Sequence, residues 1–158
     1  MAIFMKTKSE ADFLKEVSLF DGIEDGALSQ IFRLGKVKNF KSGETIILEG
    51  QKGGNVHIVI TGQVEISKNV KEAEKKKSLA HVGRGSIFGE MSVFDGAPYA
   101  ATVVATEDSS VCVIQGEDFK TFLKKNPDLA YGVFCTLINL ISSRLRRTNQ
   151  ALSLLEFN

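Results

Sequence analysis

The chain has 158 residues, 43% of them hydrophobic and 25% charged, with a formal net charge of +1. That is enough chain for one domain with a real core, and so balanced a charge argues against an electrostatic hold on nucleic acid or on an acidic membrane. No apolar run reaches the ~18 residues needed to span a bilayer, and MAIFMKTKSEADF carries no secretion signal, so a cytoplasmic protein is expected.

The first helix is expected after Ser9, which with Asp12 makes a capping pattern, and places Phe13, Leu14 and Val17 on one face. A turn at Phe20-Asp21-Gly22 leads to a second helix from Asp25 to about Leu34, with Leu28, Ile31 and Phe32 inward. From Val37 the period changes. Phe40, Thr45 to Leu48, Val56 to Thr61, Val64 to Ser67, Ser78 to Val82, Ala101 to Thr106 and Ser110 to Ile114 read as short strands. Glycine-bearing turns separate several of them, a pattern that suits a β-barrel or jelly roll. The segment from Lys68 to Lys77 reads as a charged hairpin tip in water.

Helices return at Gly116-Glu117-Asp118, and Asn126-Pro127-Asp128 ends one helix and caps the next. In the last helix, Tyr131, Phe134, Ile138, Ile141, Leu145, Thr148, Leu152 and Leu155 follow steps of 3, 4, 3, 4, 3, 4, 3. That is an a/d seam over about three heptads, suited to a parallel dimer or to packing on the chain's own barrel. Thr148 is the one polar residue in it. The two cysteines, Cys112 and Cys135, sit among apolar neighbours and read as buried free thiols.

One stretch asks for a ligand. In FGEMSVFDGAPYAATV, residues 88 to 103, Gly89 permits a close backbone approach and the residues after it can form one helical turn. The first N–H groups of such a turn suit an anion, and Glu90 can accept hydrogen bonds from sugar hydroxyls. Pro98 stiffens the approach, while Ala100 and Ala101 leave room for backbone donors. A small phosphorylated sugar fits this set; a tight loop with an incidental acid is the plainer alternative. A metalloenzyme does not fit. His57 and His81 are the only histidines, neither in an H-x-H pair, and His57 reads as a packed or edge residue. No nucleophile or phosphate-loop motif appears, so neither a metal nor an enzymatic activity is expected.

The same stretch resembles the phosphate-binding cassette of cyclic nucleotide-binding domains, F-G-E followed by apolar residues and P-R-[AST]-A-[ST]-V. Phe20-Asp21-Gly22, Phe40-Lys41-Ser42-Gly43-Glu44 and the run from Gly50 to Val64 resemble further marks of the family, whose members include catabolite activators and protein kinase A regulatory subunits. The resemblance implies an α+β fold in one domain, 1–158. N-terminal helices would occupy 9–36, a jelly-roll-like antiparallel β-roll 37–115, and C-terminal helices, with a long last one, 117–157. It implies a ligand, cyclic AMP or cyclic GMP, held by Phe88, Gly89, Glu90, Met91, Pro98, Tyr99, Ala100 and Ala101, with Glu90 on the ribose 2′-hydroxyl. Ala100 stands where Thr often accompanies cyclic GMP preference, so it leans toward cyclic AMP. Thr148-Asn149 falls where the family's transcription factors offer a Thr-Ser pair to the adenine across a dimer. A register role for Thr148 stands beside that reading. The chain would be a regulatory homodimer through 131–155, acting on an effector protein the residues do not name. The sequence ends at Asn158 with no recognition helix after the seam, so DNA binding is not expected.

Tyr99 departs from this pattern, because the family's arginine at that position meets the cyclic phosphate. Backbone donors then suffice for weak binding, or Arg84, Arg144, Arg146 or Arg147 supplies the charge, or the pocket takes another ligand or none. A dimerising interaction module is the second reading of the whole chain.

Overall fold

The computed structural model describes residues 9–70 and 75–155. Helix α1 (Ser9–Leu14) is followed by a 3-10 turn at Ser18–Phe20 and by α2 (Asp25–Leu34). Then come β1 (Gly35–Phe40), β2 (Thr45–Ile47), β3 (Asn55–Thr61), β4 (Val64–Val70), β5 (Lys75–Val82) and β6 (Ile87–Phe88). Helix α3 (Glu90–Asp95) interrupts the strands before β7 (Thr102–Ala105) and β8 (Ser109–Gln115), and α4 (Gly116–Lys125) and α5 (Pro127–Leu155) complete the chain. The expected cap at Ser9 and the seam position Leu155 fall on side chains outside the described residues, as does the hairpin tip at 71–74.

Two four-stranded antiparallel sheets, in the orders β1-β8-β3-β6 and β2-β7-β4-β5, form the β-roll. Alternation along β3 divides the core in two. Val56, Ile58 and Ile60 face outward, joining Phe13, Phe20, Leu28, Ile31 and Phe119 under the helices. Val59 faces the interior with Ile47, Val64, Phe88, Tyr99, Val103 and Val111. His57, two residues before Val59, shares that inner face and stacks on Phe88.

Two expectations need correction, and one strand was not foreseen. The charged hairpin is longer as a ladder than its side chains suggest, since Lys68, Asn69 and Val70 pair with Lys77, Lys76 and Lys75. Backbone pairing in an exposed ribbon needs no apolar alternation, so no period of two marks it. Strand β6 was not legible, because two residues between turns are too short to show a period. Cys135 is exposed, while Cys112 is buried with its thiol pushed up to about 11 by loss of solvent. The helix docks by a different face, with Ala130, Val133 and Leu137 buried.

That docking face also settles how the seam relates to the roll. Tyr131 is 74% exposed, Ile138 62%, Leu145 58% and Leu152 55%, so the stripe is not spent on the chain's own barrel. Phe134 is the partial exception, meeting Phe94 of α3 edge-on at 5.5 Å. Phe94 in turn meets Phe119 at 6.4 Å, and Phe119 meets Phe20 at 6.3 Å. A continuous aromatic train thus joins α5 to α3, α4 and the N-terminal turn.

Candidate functional site

The cassette begins where β6 ends. Gly89 takes a left-handed backbone conformation, φ 79°, and α3 starts at the next residue. A methyl group on Gly89 would lie 2.7 Å from the Asn55 carbonyl oxygen, 3.0 Å from Nδ1 of His57 and 3.3 Å from Cε1 of Tyr99. Both the handedness and the crowding therefore demand glycine. The hydroxyl of Ser92 donates to the Gly89 carbonyl at 2.8 Å and accepts from the Gly54 N–H at 2.9 Å, tying α3 to the loop before β3. Gly96, φ 70°, ends the helix. The returning strand is clamped by two backbone bonds, Gly50 N–H to the Tyr99 carbonyl at 2.9 Å and Tyr99 N–H to the Gln51 carbonyl at 3.0 Å.

Glu90 is 2% exposed, and a carboxylate so buried needs a partner. It finds one on α5, where Nη1 of Arg144 donates to Oε1 of Glu90 at 2.5 Å. The last helix thus reaches the acid that the resemblance assigns to the ribose. Of the four arginines considered as replacement cations, Arg144 alone is joined to the cassette. Arg84 is committed elsewhere: its guanidinium donates to both oxygens of Glu16, at 2.7 and 3.1 Å, and to the Ile60 carbonyl, and lies over the Phe13 ring. Arg146 and Arg147 are exposed on α5.

Tyr99 is buried inside the roll, edge-on to His57 with 6.0 Å between ring centroids. Burial pushes its phenol up, opposed by the backbone of Asn55, so it stays neutral at ordinary pH. His57 is held well below the usual imidazole range, at about 4, chiefly because burial strips water from the charged form. Its Nδ1 has no hydrogen-bond partner. Sequence reasoning placed His57 in a packed strand and did not join it to the site. The sole signal was its spacing of two from Val59 on an inward face.

The remaining predicted residues divide. Phe88, Gly89, Glu90 and Tyr99 converge, with Ala101 half-buried beside them in the chain and Ala100 and Met91 exposed. Pro98 lines a hollow of about 460 Å³ together with Lys52, Ser92, Val93, Gly116 and Lys120. Thr148 and Asn149 are exposed, and the Thr148 hydroxyl donates to the Arg144 carbonyl of its own helix at 3.1 Å. Within one chain they do not join the cassette. Among the described residues no His, Cys, Asp or Glu cluster could hold a metal, and no helix is long and apolar enough to cross a membrane.

The chain is similar to the CRP-like cAMP-activated global transcriptional regulator of Mycobacterium tuberculosis, 25% identical over 146 residues that cover 92% of this chain and 63% of the relative. It is 38% identical over 106 residues to the cAMP-dependent protein kinase regulatory subunit of Yarrowia lipolytica, covering 67% of this chain and 26% of that one. The crystal structure of Thermus thermophilus catabolite activator protein superposes with a TM-score of 0.79 and 27% identity, over 89% of this chain and 63% of that one. This chain thus spans less than two thirds of the length of these relatives. The expectation that DNA plays no part finds no support in a first relative that is by name a transcriptional regulator. The family profile of the cyclic nucleotide-binding domain matches residues 37–126, from within β1 through the cassette and α4. With more than half of its length matched and the β-roll of the family in place, the chain belongs to the cyclic nucleotide-binding domain family.

Proposed function

We propose that this chain is a non-catalytic regulatory domain, cytoplasmic and one domain over 1–158, which binds a cyclic nucleotide, by preference cyclic AMP, and signals through α5. The observation that carries this reading is the contact between Arg144 and Glu90. A ribose hydroxyl that bonds to Glu90 must share or displace that guanidinium, so ligand has a differential contact with the placement of α5. Phe94 on α3 and Phe134 on α5 supply a second, apolar link between cassette and helix. The similarity to two proteins named for cyclic AMP supports the choice of nucleotide. Met91, Ala100 and Ala101 would offer backbone donors, with Thr148 and Asn149 reaching the base of a nucleotide held by a second copy.

A second reading, a dimerising interaction module with an altered pocket, is favoured by one observation. Tyr99 fills the inner face of the roll among Phe88, Val59 and Val103, without the charge an anion needs. Titration with cyclic AMP and cyclic GMP separates the two. Under the first, ligand at about 100 times its Kd raises stability by about 2.7 kcal/mol and lifts the melting temperature. Absence of binding heat and of thermal protection at millimolar nucleotide would leave the module reading.

Both readings use a homodimer through 131–155, supported by the exposed stripe of Ile138, Leu145 and Leu152. Leu145→Glu with Leu152→Glu is expected to give a monomer of unchanged fold by light scattering and circular dichroism. These side chains do not touch the roll core, so an unaltered mass would reject the seam.

A further inference from the structure

We propose that His57 is an additional binding residue of this site: it lies behind Gly89 and takes up a proton from solvent when an anionic ligand settles on the cassette, supplying the charge that Tyr99 lacks. The inference rests on the reading of the site as a cyclic nucleotide pocket. Its first support is an anomaly. His57 is 4% exposed, and although the backbone of Asn55 and Phe88 lies near enough to favour a charged ring, its Nδ1 makes no well-formed hydrogen bond. Buried polar atoms are nearly always paired, so one that is not asks for another state in which it is used. Its second support is placement. Nδ1 lies beside Gly89, at 3.0 Å from where a methyl group on that residue would sit, so one backbone unit separates the imidazole from the start of the cassette.

The groups around His57 explain why it is neutral without ligand and what would charge it. Tyr99 faces it from the segment before β7 and is a neutral phenol. Phe88 of β6 stacks on it and Val113 of β8 stands opposite, both uncharged. Lys38 of β1 is the cation near enough to disfavour a second positive charge. Glu90, next to Gly89, is already engaged by Arg144 of α5. The imidazole sits low, at about 4, chiefly because burial strips water from its charged form, with the backbone of Asn55 and Phe88 opposing the shift and Lys38 adding to it. A cyclic phosphodiester at the Gly89 backbone would be an anion that favours the charged form. The stacked Phe88 ring accepts a cation on its face, which lowers the cost of charging. One proton would move from water to Nδ1 per ligand bound, and no covalent bond to the ligand would change.

Calorimetry with cyclic AMP at about pH 5.5 and pH 8, each in two buffers of different ionisation enthalpy, tests this. Neither the phosphodiester nor the base of that ligand titrates in the interval. The expected result is affinity about tenfold higher at the lower pH, with binding heat that depends on the buffer because protons are taken up. His57→Phe keeps the ring stack and should abolish both effects. Tyr99→Arg should abolish them too, since a guanidinium meets the anion directly, and this covers the case in which His57→Phe fails to fold. Binding with the same affinity at both pH values and no buffer dependence overturns the inference alone. So does a pH dependence that survives in His57→Phe, which would place the proton elsewhere, as on His81. Absence of binding at either pH is a different result; it defeats the pocket reading and this inference with it.

Discussion

Tyr99→Arg is expected to tighten cyclic AMP binding by roughly 10- to 100-fold, the equivalent of the 1.5–3 kcal/mol that a charge-assisted hydrogen bond contributes over a neutral one. The side chain at this position already points into the roll beside Phe88 and Val103, so the guanidinium would enter the inner face where the proposed ligand would lie. The variant should also lose stability without ligand. An arginine among Val59, Val103 and Val111 would have no anion to pair with and no water around it. Its melting temperature should fall below that of the parent in buffer and rise more steeply with nucleotide. Calorimetry and thermal melts in parallel measure both halves. A variant that folds but binds no more tightly would show that the pocket has been rebuilt around Tyr99 for something other than a cyclic phosphate.

Arg144→Ala is expected to destabilise the free protein by about 2 kcal/mol, whereas Glu90→Gln should cost less. The asymmetry comes from burial. Glu90 is 2% exposed and Arg144 is 47% exposed in its side chain. Removing the arginine strands a buried carboxylate, a loss of about 3–5 kcal/mol for fully buried pairs, discounted here because one partner is half in water. Removing the acid's charge instead leaves an arginine that water can solvate. Urea denaturation of the two variants gives the comparison. Equal losses would mean that the carboxylate is satisfied by other groups, and that α5 is not held to the cassette by this contact. With Arg144 gone, the difference in α5 placement between free and nucleotide-bound protein should also shrink, because the ligand would no longer compete for Glu90.

The two variants probe different contacts of the cassette. Tyr99 lies on the inner wall of the roll, and Arg144 reaches Glu90 from α5. Because the proposed mechanism moves α5 when nucleotide binds, their effects on ligand affinity should couple rather than simply add.

Much of this architecture could be read from residues alone, for local reasons. The helix at Asp25–Leu34 and the break at Asn126-Pro127 are set by periodicity, proline and capping within a few residues. The turn into α3 was visible because Gly89 permits a tight turn and a close approach; the left-handed conformations of Gly89 and Gly96 are what the structure adds. The seam was legible as spacing, but whether it faced the roll or solvent was not. A heptad pattern says which residues share a stripe, and only the second pattern of Ala130, Val133 and Leu137 says which stripe is buried.

By itself, then, the sequence determined the order of the longer elements, the cassette stretch and the family, because turns, caps and glycine conformations depend on near neighbours. Only the tertiary structure decided which cation meets Glu90, since Arg84 and Arg144 look alike as residues. One is drawn to Glu16 and the other, 54 positions beyond Glu90, is carried to it by a docked helix. The same holds for His57, whose place beside Tyr99 and Gly89 arises where β3, β6 and the segment before β7 meet. Charge pairing and burial depend on distances through space between segments far apart in the chain, and no local pattern encodes those distances.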